Sequence, residues 1–164
     1  MGMHEKIEDI VYGVVTVSDS RFNKLISGEI VEDKSGNFLK KELNAKYYVL
    51  IPDNRDMLKG VIDHLIDFTD VDCIVVTGGT GVSSRDNTPE ILKEMFQKEL
   101  NGFSVLFHNL SYKEVKYATI LSRTTAGIYR GKVIYALPGS LNACKTALPI
   151  IKEETGHILK HIRE

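Results

Sequence analysis

The chain has 164 residues, 43% apolar and 26% charged, with 21 basic side chains against 22 acidic ones and a formal charge of −1. That size and apolar content predict one compact domain over 1–164, with a polar, flexible N-terminus at 1–9. Balanced charge, with no Lys/Arg run and no acidic tail, argues against nucleic acid as a partner, and no apolar stretch approaches the roughly 18 residues of a membrane span. Cys73 and Cys144 show neither metal-site spacing nor a disulfide framework, as expected for a reducing cytoplasm.

Val11 to Val17 reads as the first strand, ending in the polar group Ser18-Asp19-Ser20-Arg21. A polar loop with Gly28 follows, then a helix from about Val31 to Leu43, in which Val31, Phe38, Leu39 and Leu43 recur at helical spacing. Gly36 interrupts that helix at a cost of roughly 1 kcal/mol relative to alanine, so close packing or ligand approach must explain it. Tyr47 to Ile51 makes the second strand, and Pro52-Asp53-Asn54 stops it before a helix with Leu58, Val61, Ile62, Leu65 and Ile66. Asp53 is placed to cap that helix.

Cys73-Ile74-Val75-Val76 is the pattern of a strand covered on both faces. It runs into Thr77-Gly78-Gly79-Thr80-Gly81, then Arg85-Asp86-Asn87-Thr88-Pro89-Glu90, where Thr88 can cap a helix and Pro89 fits its first turn. Three glycines let the backbone approach a ligand closely, and hydroxyls with free N–H groups suit phosphate oxygens. Asp86 adds a carboxylate to a phosphate-type site, which calls for a bridging metal ion. The loop has neither the Gly-Lys-Ser/Thr of a Walker loop nor the Gly-x-Gly-x-x-Gly spacing of a dinucleotide fingerprint.

A helix with Ile91, Leu92, Met95 and Phe96 follows; the pattern is ambiguous after Asn101-Gly102-Phe103, and Tyr112 to Leu121 reads as helical with a poor apolar face. Gly127 to Leu137 reads as two short strands, or as a turn feeding one long strand. Pro138-Gly139-Ser140 ends it, and a helix starts at Ser140 or Leu141, with Pro149 as a candidate break. Of the five histidines only His157 and His161 share i, i+4 spacing; without a third ligand they read as surface residues.

Repeated strand–helix alternation predicts an α/β fold: three layers, α/β/α, around a mostly parallel central sheet with right-handed crossovers. Ligand groups then gather at the carboxyl ends of the strands, at Ser18-Asp19, Pro52-Asp53, Thr77 to Asp86, and Leu137 to Ser140. Each has a plain alternative: Asp53 and Ser140 as helix caps, Ser18-Asp19 as a strand-ending turn, and Arg85 as a surface ion pair.

Val17-Ser18-Asp19, Asp33-x-Ser35-Gly36, Ile51-Pro52-Asp53, Thr77 through Glu90, Leu121-Ser122-Arg123 and Leu137-Pro138-Gly139-Ser140 with Ala143 together resemble the molybdopterin-binding fold family of molybdenum-cofactor biosynthesis, the MogA and MoaB type. The resemblance spans nearly the whole chain. It implies transfer of AMP from ATP to the terminal phosphate of molybdopterin, with release of pyrophosphate, before insertion of molybdenum or tungsten. It further implies a homotrimer or hexamer and the molybdate-insertion enzyme as a partner. Asp53 and Asp86 match the family's two acidic residues of Mg²⁺-dependent catalysis. Gly78-Gly79-Thr80-Gly81 and Pro138-Gly139-Ser140 match its pterin and phosphate contacts. Ser18, Asp19, Thr77 and Arg85 complete the expected substrate-binding set. Two other readings remain: a non-catalytic trimeric molybdopterin carrier, and a nucleotide hydrolase that uses the same Mg²⁺ site.

Overall fold

Val14, Val15, Val75, Val76, Val133 and Ile134 are all fully buried, which is possible only where a sheet is covered on both faces. The computed structural model describes residues 5–164. Its sheet has the order β2-β1-β3-β6-β5-β4, built from β1 (Tyr12–Val17), β2 (Tyr47–Ile51), β3 (Cys73–Thr77), β4 (Lys98–Glu99), β5 (Thr125–Tyr129) and β6 (Lys132–Leu137). The first four strands in that order are parallel, and β5 and β4 form an antiparallel edge. The expected mostly parallel α/β/α sheet is what forms.

Alternate residues along each central strand feed two cores. Tyr12, Val14, Cys73, Val75, Val133 and Tyr135 face the layer of α2 (Lys34–Glu42), α5 (Asn101–Val115) and α6 (Leu141–Ile162), packing on Leu39, Phe107 and Ile151. Val15, Val17, Ile74, Val76, Ile134 and Ala136 face α3 (Arg55–Phe68) and α4 (Thr88–Met95), packing on Leu58, Ile62 and Leu92.

The expected polar loop after β1 is instead the helix α1 (Asp19–Ile26), capped by Ser18, whose Oγ accepts from the Arg21 N–H. It buries no residue, so no apolar period marked it. The next helix begins at Lys34, not Val31, because Asp33 caps it by accepting from the Gly36 N–H at 3.0 Å. Gly36 thus lies in the first turn. A Cβ there would stand 2.1 Å from Asp33 Oδ2 and 2.6 Å from Thr16 Oγ1, so close packing explains the glycine.

Tyr112 to Leu121 divides into the end of α5 and a 3-10 helix over Lys116–Leu121. Gly127 to Leu137 resolves as an antiparallel pair turning at Arg130-Gly131. Pro149 does not break α6: it lies inside the helix at an exposed position. Residues 5–9, read as flexible, lie along α6, where the Ile7 N–H donates to the Gly156 carbonyl; residues 1–4 of that reading lie outside the described residues. Among the described residues no helix is long and apolar enough to cross a membrane.

Candidate functional site

Thr16 pairs with Thr77 and Thr77 with Leu137, while Val17 pairs with Ile51, so the four parallel strands end level with one another. The chain's direction across the sheet reverses between β1 and β3, the position where such sheets open a crevice at their carboxyl edge. All four sequence-predicted tips leave the sheet at that rim.

Asp19 ties three of them together. Its Oδ1 accepts from the Asp53 N–H at 2.9 Å, and its two oxygens accept from Arg85 Nε at 2.9 Å and Nη2 at 3.0 Å. Arg85 Nη2 also donates to the Asp53 carbonyl at 2.8 Å. The guanidinium holds the Asp19 carboxyl below the usual aspartate range. Arg85 is therefore not an idle surface charge; it braces the β1 and β2 tips.

Asp53 is not the helix cap. Asn54 caps α3 by accepting from the Met57 N–H at 2.9 Å, leaving the Asp53 carboxylate with a single long contact, 3.4 Å, from the Asn87 N–H. Burial pushes its carboxyl above the ordinary value; the Asn87 N–H and Arg85 pull the other way, and the Asp19 and Asp86 carboxylates add to the rise.

The signature loop turns back on itself through Gly78 and Gly79, at φ +107 and +70. A Cβ on Gly78 would be 2.1 Å from the Val17 carbonyl oxygen, and one on Gly79 would be 2.2 Å from Thr88 Oγ1 and 2.9 Å from Asp53 Oδ2. Only glycine fits either place. The Gly78 N–H donates to Leu137, whereas the N–H groups of Gly79, Thr80 and Gly81 have no acceptor among the described residues. A row of unpaired amides at the end of a strand and ahead of a helix is a receptor for anionic oxygen. Asp86 sits at the far end, its Oδ2 accepting from Ser83 N and Oγ at 3.0 and 2.8 Å.

The fourth tip locks onto the others by backbone carbonyls. Thr77 Oγ1 donates to Pro138 and Ser35 Oγ donates to Gly139. Ser140 caps α6 through the Ala143 N–H, so its plain alternative holds in the folded chain. Thr88, read as a helix cap, is instead the first residue of α4, and Asn87 takes the cap position without a side-chain bond. Thr88 Oγ1 is buried with no partner. Asp53, Arg85, Asn87 and Glu90 help line a cavity of about 340 Å³ beside the loop.

Arg123 is the residue that sequence reasoning left without a role. Its Nε donates to the Gly81 carbonyl at 2.8 Å, its Nη2 to the Asp86 carbonyl at 2.6 Å and its Nη1 to Glu90, while its N–H donates to Thr80. The only signal for it was membership of the Leu121-Ser122-Arg123 segment.

A family model described as a probable molybdopterin binding domain matches residues 13–157. The chain is 64% identical to a probable molybdopterin adenylyltransferase of Methanocaldococcus jannaschii, with 99% of each chain covered. It is 47% identical to a molybdopterin adenylyltransferase of Pyrococcus furiosus, covering 93% of this chain and 91% of that one. Its fold superposes on the crystal structure of the tungsten cofactor synthesizing protein MoaB from Pyrococcus furiosus with a TM-score of 0.86, at 45% identity, over 96% of this chain and 99% of that one.

Proposed function

The chain belongs to the molybdopterin-binding domain family, and on that premise we propose that it is a molybdopterin adenylyltransferase of molybdenum or tungsten cofactor biosynthesis. The terminal phosphate oxygen of molybdopterin bonds to the α-phosphorus of ATP, the α–β bridging bond breaks, and pyrophosphate leaves with its electron pair. The attacking phosphate is already ionised at neutral pH, so no general base is needed and catalysis rests on positioning and charge stabilisation.

The observation that carries the site assignment is the row of unpaired Gly79, Thr80 and Gly81 amides between the Asp53 and Asp86 carboxylates. Those amides would bind phosphate oxygens, with Thr77, Pro138, Gly139 and Ser140 forming the adjoining wall. Ser18 fixes the start of α1, so that Asp19 holds Arg85 over the Asp53 carbonyl, next to the charge that develops on the transferring group.

Mg²⁺ suits this donor set. Burial is the main cause of the raised Asp53 carboxyl, with a smaller contribution from the Asp19 and Asp86 carboxylates, and a nearby cation would offset that repulsion. Among the described residues no three His, Cys, Asp or Glu side chains form a metal-holding group, so the protein's share is Asp53 and Asp86, with ATP phosphates and water completing the shell. When bound, Mg²⁺ would neutralise phosphate charge. Oligomerisation to a trimer or hexamer is supported by apolar side chains exposed along α5 and the 3-10 helix, among them Val105, Tyr117, Ile120 and Leu121.

The test is incubation with molybdopterin, ATP and Mg²⁺, following adenylylated molybdopterin by mass, repeated with Asp86→Ala. Product from the native chain, with Asp86→Ala binding pterin but turning over slowly, is the expected result. Pterin binding without product from the native chain would overturn it in favour of a carrier, and ATP turnover without pterin would overturn it in favour of a hydrolase.

A further inference from the structure

Thr88 is fully buried, and its Oγ1 is one of three buried side-chain oxygens among the described residues that make no hydrogen bond. A buried hydroxyl left unbonded destabilises the fold, and valine would fill nearly the same space without that cost. The other two lie away from the acidic pair, Thr16 against Gly36 and Thr119 in the 3-10 helix. Thr88 stands against Asp53.

The backbone fixes that placement. The Thr88 N–H donates to the Gly79 carbonyl at 3.0 Å, and Pro89 follows it in the first turn of α4. The point where a Cβ on Gly79 would stand is 2.2 Å from Thr88 Oγ1 and 2.9 Å from Asp53 Oδ2. Glycine at position 79 therefore gives the hydroxyl and the carboxylate a common face. The same Oδ2 takes the long contact from the Asn87 N–H, at 3.4 Å, whereas Asp53 Oδ1 accepts no hydrogen bond among the described residues. One carboxylate oxygen is thus turned toward the first turn of α4 and the other is uncommitted.

A carboxylate that ligates a metal ion through one oxygen is held in place by hydrogen bonds to the other. A contact of 3.4 Å is a weak hold. The Thr88 hydroxyl is the nearest further donor, and its O–H can rotate toward Oδ2 without disturbing the backbone. We propose that Thr88 is a positioning residue for adenylylation: in the loaded site its Oγ–H donates to Asp53 Oδ2 and leaves Oδ1 to the divalent cation. This rests on the assignment of Asp53 to the metal. Because the hydroxyl is unbonded in the free chain, its removal should act in opposite directions, raising the stability of the free chain and lowering its affinity for the metal–nucleotide complex.

The experiment titrates the full chain with α,β-methylene-ATP, whose α–β bridge cannot be cleaved, once as the Mn²⁺ complex and once metal-free in the presence of a chelator. Binding is followed by calorimetry, and bound Mn²⁺ by water-proton relaxation. Thr88→Val should bind the Mn²⁺ complex about tenfold more weakly, bind the metal-free nucleotide as the native chain does, and melt no lower than native. Thr88→Ser, which restores the hydroxyl, should come back to within about twofold of native on the Mn²⁺ complex. Native affinity for the Mn²⁺ complex in Thr88→Val, alongside weakened binding in Asp53→Asn, would overturn the proposal and leave the adenylyltransferase reading standing. No effect in Asp53→Asn would remove the metal assignment, and the proposal with it. Equal weakening for the metal-free nucleotide, or a Thr88→Ser as weak as Thr88→Val, would also overturn it, since the hydroxyl would then not act through Asp53.

Discussion

Replacing Arg123 by methionine keeps the aliphatic stem and removes the guanidinium that grips the signature loop at Gly81, Asp86 and Glu90. Bonds from a charged donor are worth about 1.5–3 kcal/mol when sheltered, but the Arg123 side chain is 35% exposed, so about 1 kcal/mol is assigned to each carbonyl bond. The exposed pair with Glu90 adds little. The total, about 2 kcal/mol, is about a 30-fold shift toward an open loop. If Asp86 acts only from the closed loop, kcat/KM for adenylylation falls by up to that factor, and the Mg²⁺ concentration for half-maximal rate rises. Tm falls by about 4–8 °C, as expected for a domain of this size. Arg123→Lys, which keeps the charge but loses the fork, should fall between the two. The assay is product formation by mass across a Mg²⁺ titration, with hydrogen exchange of residues 80–88 as the structural readout. A kcat/KM within twofold of native, alongside the expected drop in Tm, would refute the link between the clamp and catalysis.

Thr88→Val swaps a buried, unpartnered hydroxyl for a methyl group, so stability should rise by about 1 kcal/mol, seen as a Tm increase of about 2–4 °C; a decrease would mean that the hydroxyl is bonded in the folded chain. Gly36→Ala, which elsewhere in a helix would help, should cost about 3 kcal/mol. The new Cβ displaces an Asp33 carboxylate that accepts from both Gly36 N and the Tyr48 hydroxyl, and a denaturation midpoint within error of native would count against this. For Asp53 the folded carboxyl holds its proton more tightly than the unfolded one, so ionisation above about pH 4 destabilises the folded chain. Asp53→Asn should therefore raise the denaturant midpoint at pH 7, lose that advantage as pH falls below about 4, and abolish turnover; equal midpoints at pH 7 would contradict the reading.

How much could be read from the residues depended on what each one touches. Strands β1, β3 and β6 were legible because sheets covered on both faces demand unbroken apolar runs, and Cys73 to Val76 is such a run; β2, a half-buried edge strand, was marked by its β-favouring Tyr47 to Ile51 ahead of Pro52. Helix α1 was not, since Asp19 to Ile26 buries nothing. The start of α2 was misplaced because Val31 mimics a helical period, while the true signal was Asp33 capping Gly36. Within the rim, Asp53 and Asp86 stood out as carboxylates beside a glycine-rich loop. Arg123 did not, because its partners are the carbonyls of Gly81 and Asp86, groups that every residue carries and no sequence marks. The Asp19–Arg85 pair is separated by 66 positions, and only folding reveals it.

Strand β6 comes last in chain order among the strands of this sheet, yet it occupies an interior position between β3 and β5. A nascent chain that has emerged only as far as β5 therefore lacks the partner for β3 and leaves a gap in the middle of its sheet. The Gly78 amide and Thr77 hydroxyl then have neither Leu137 nor Pro138 to bond, so the signature loop cannot take its shape. Pairing across such sequence distances is slow to close. Acquisition of the folded state and of substrate affinity should consequently be one kinetic event, timed by the insertion of strand β6 between β3 and β5.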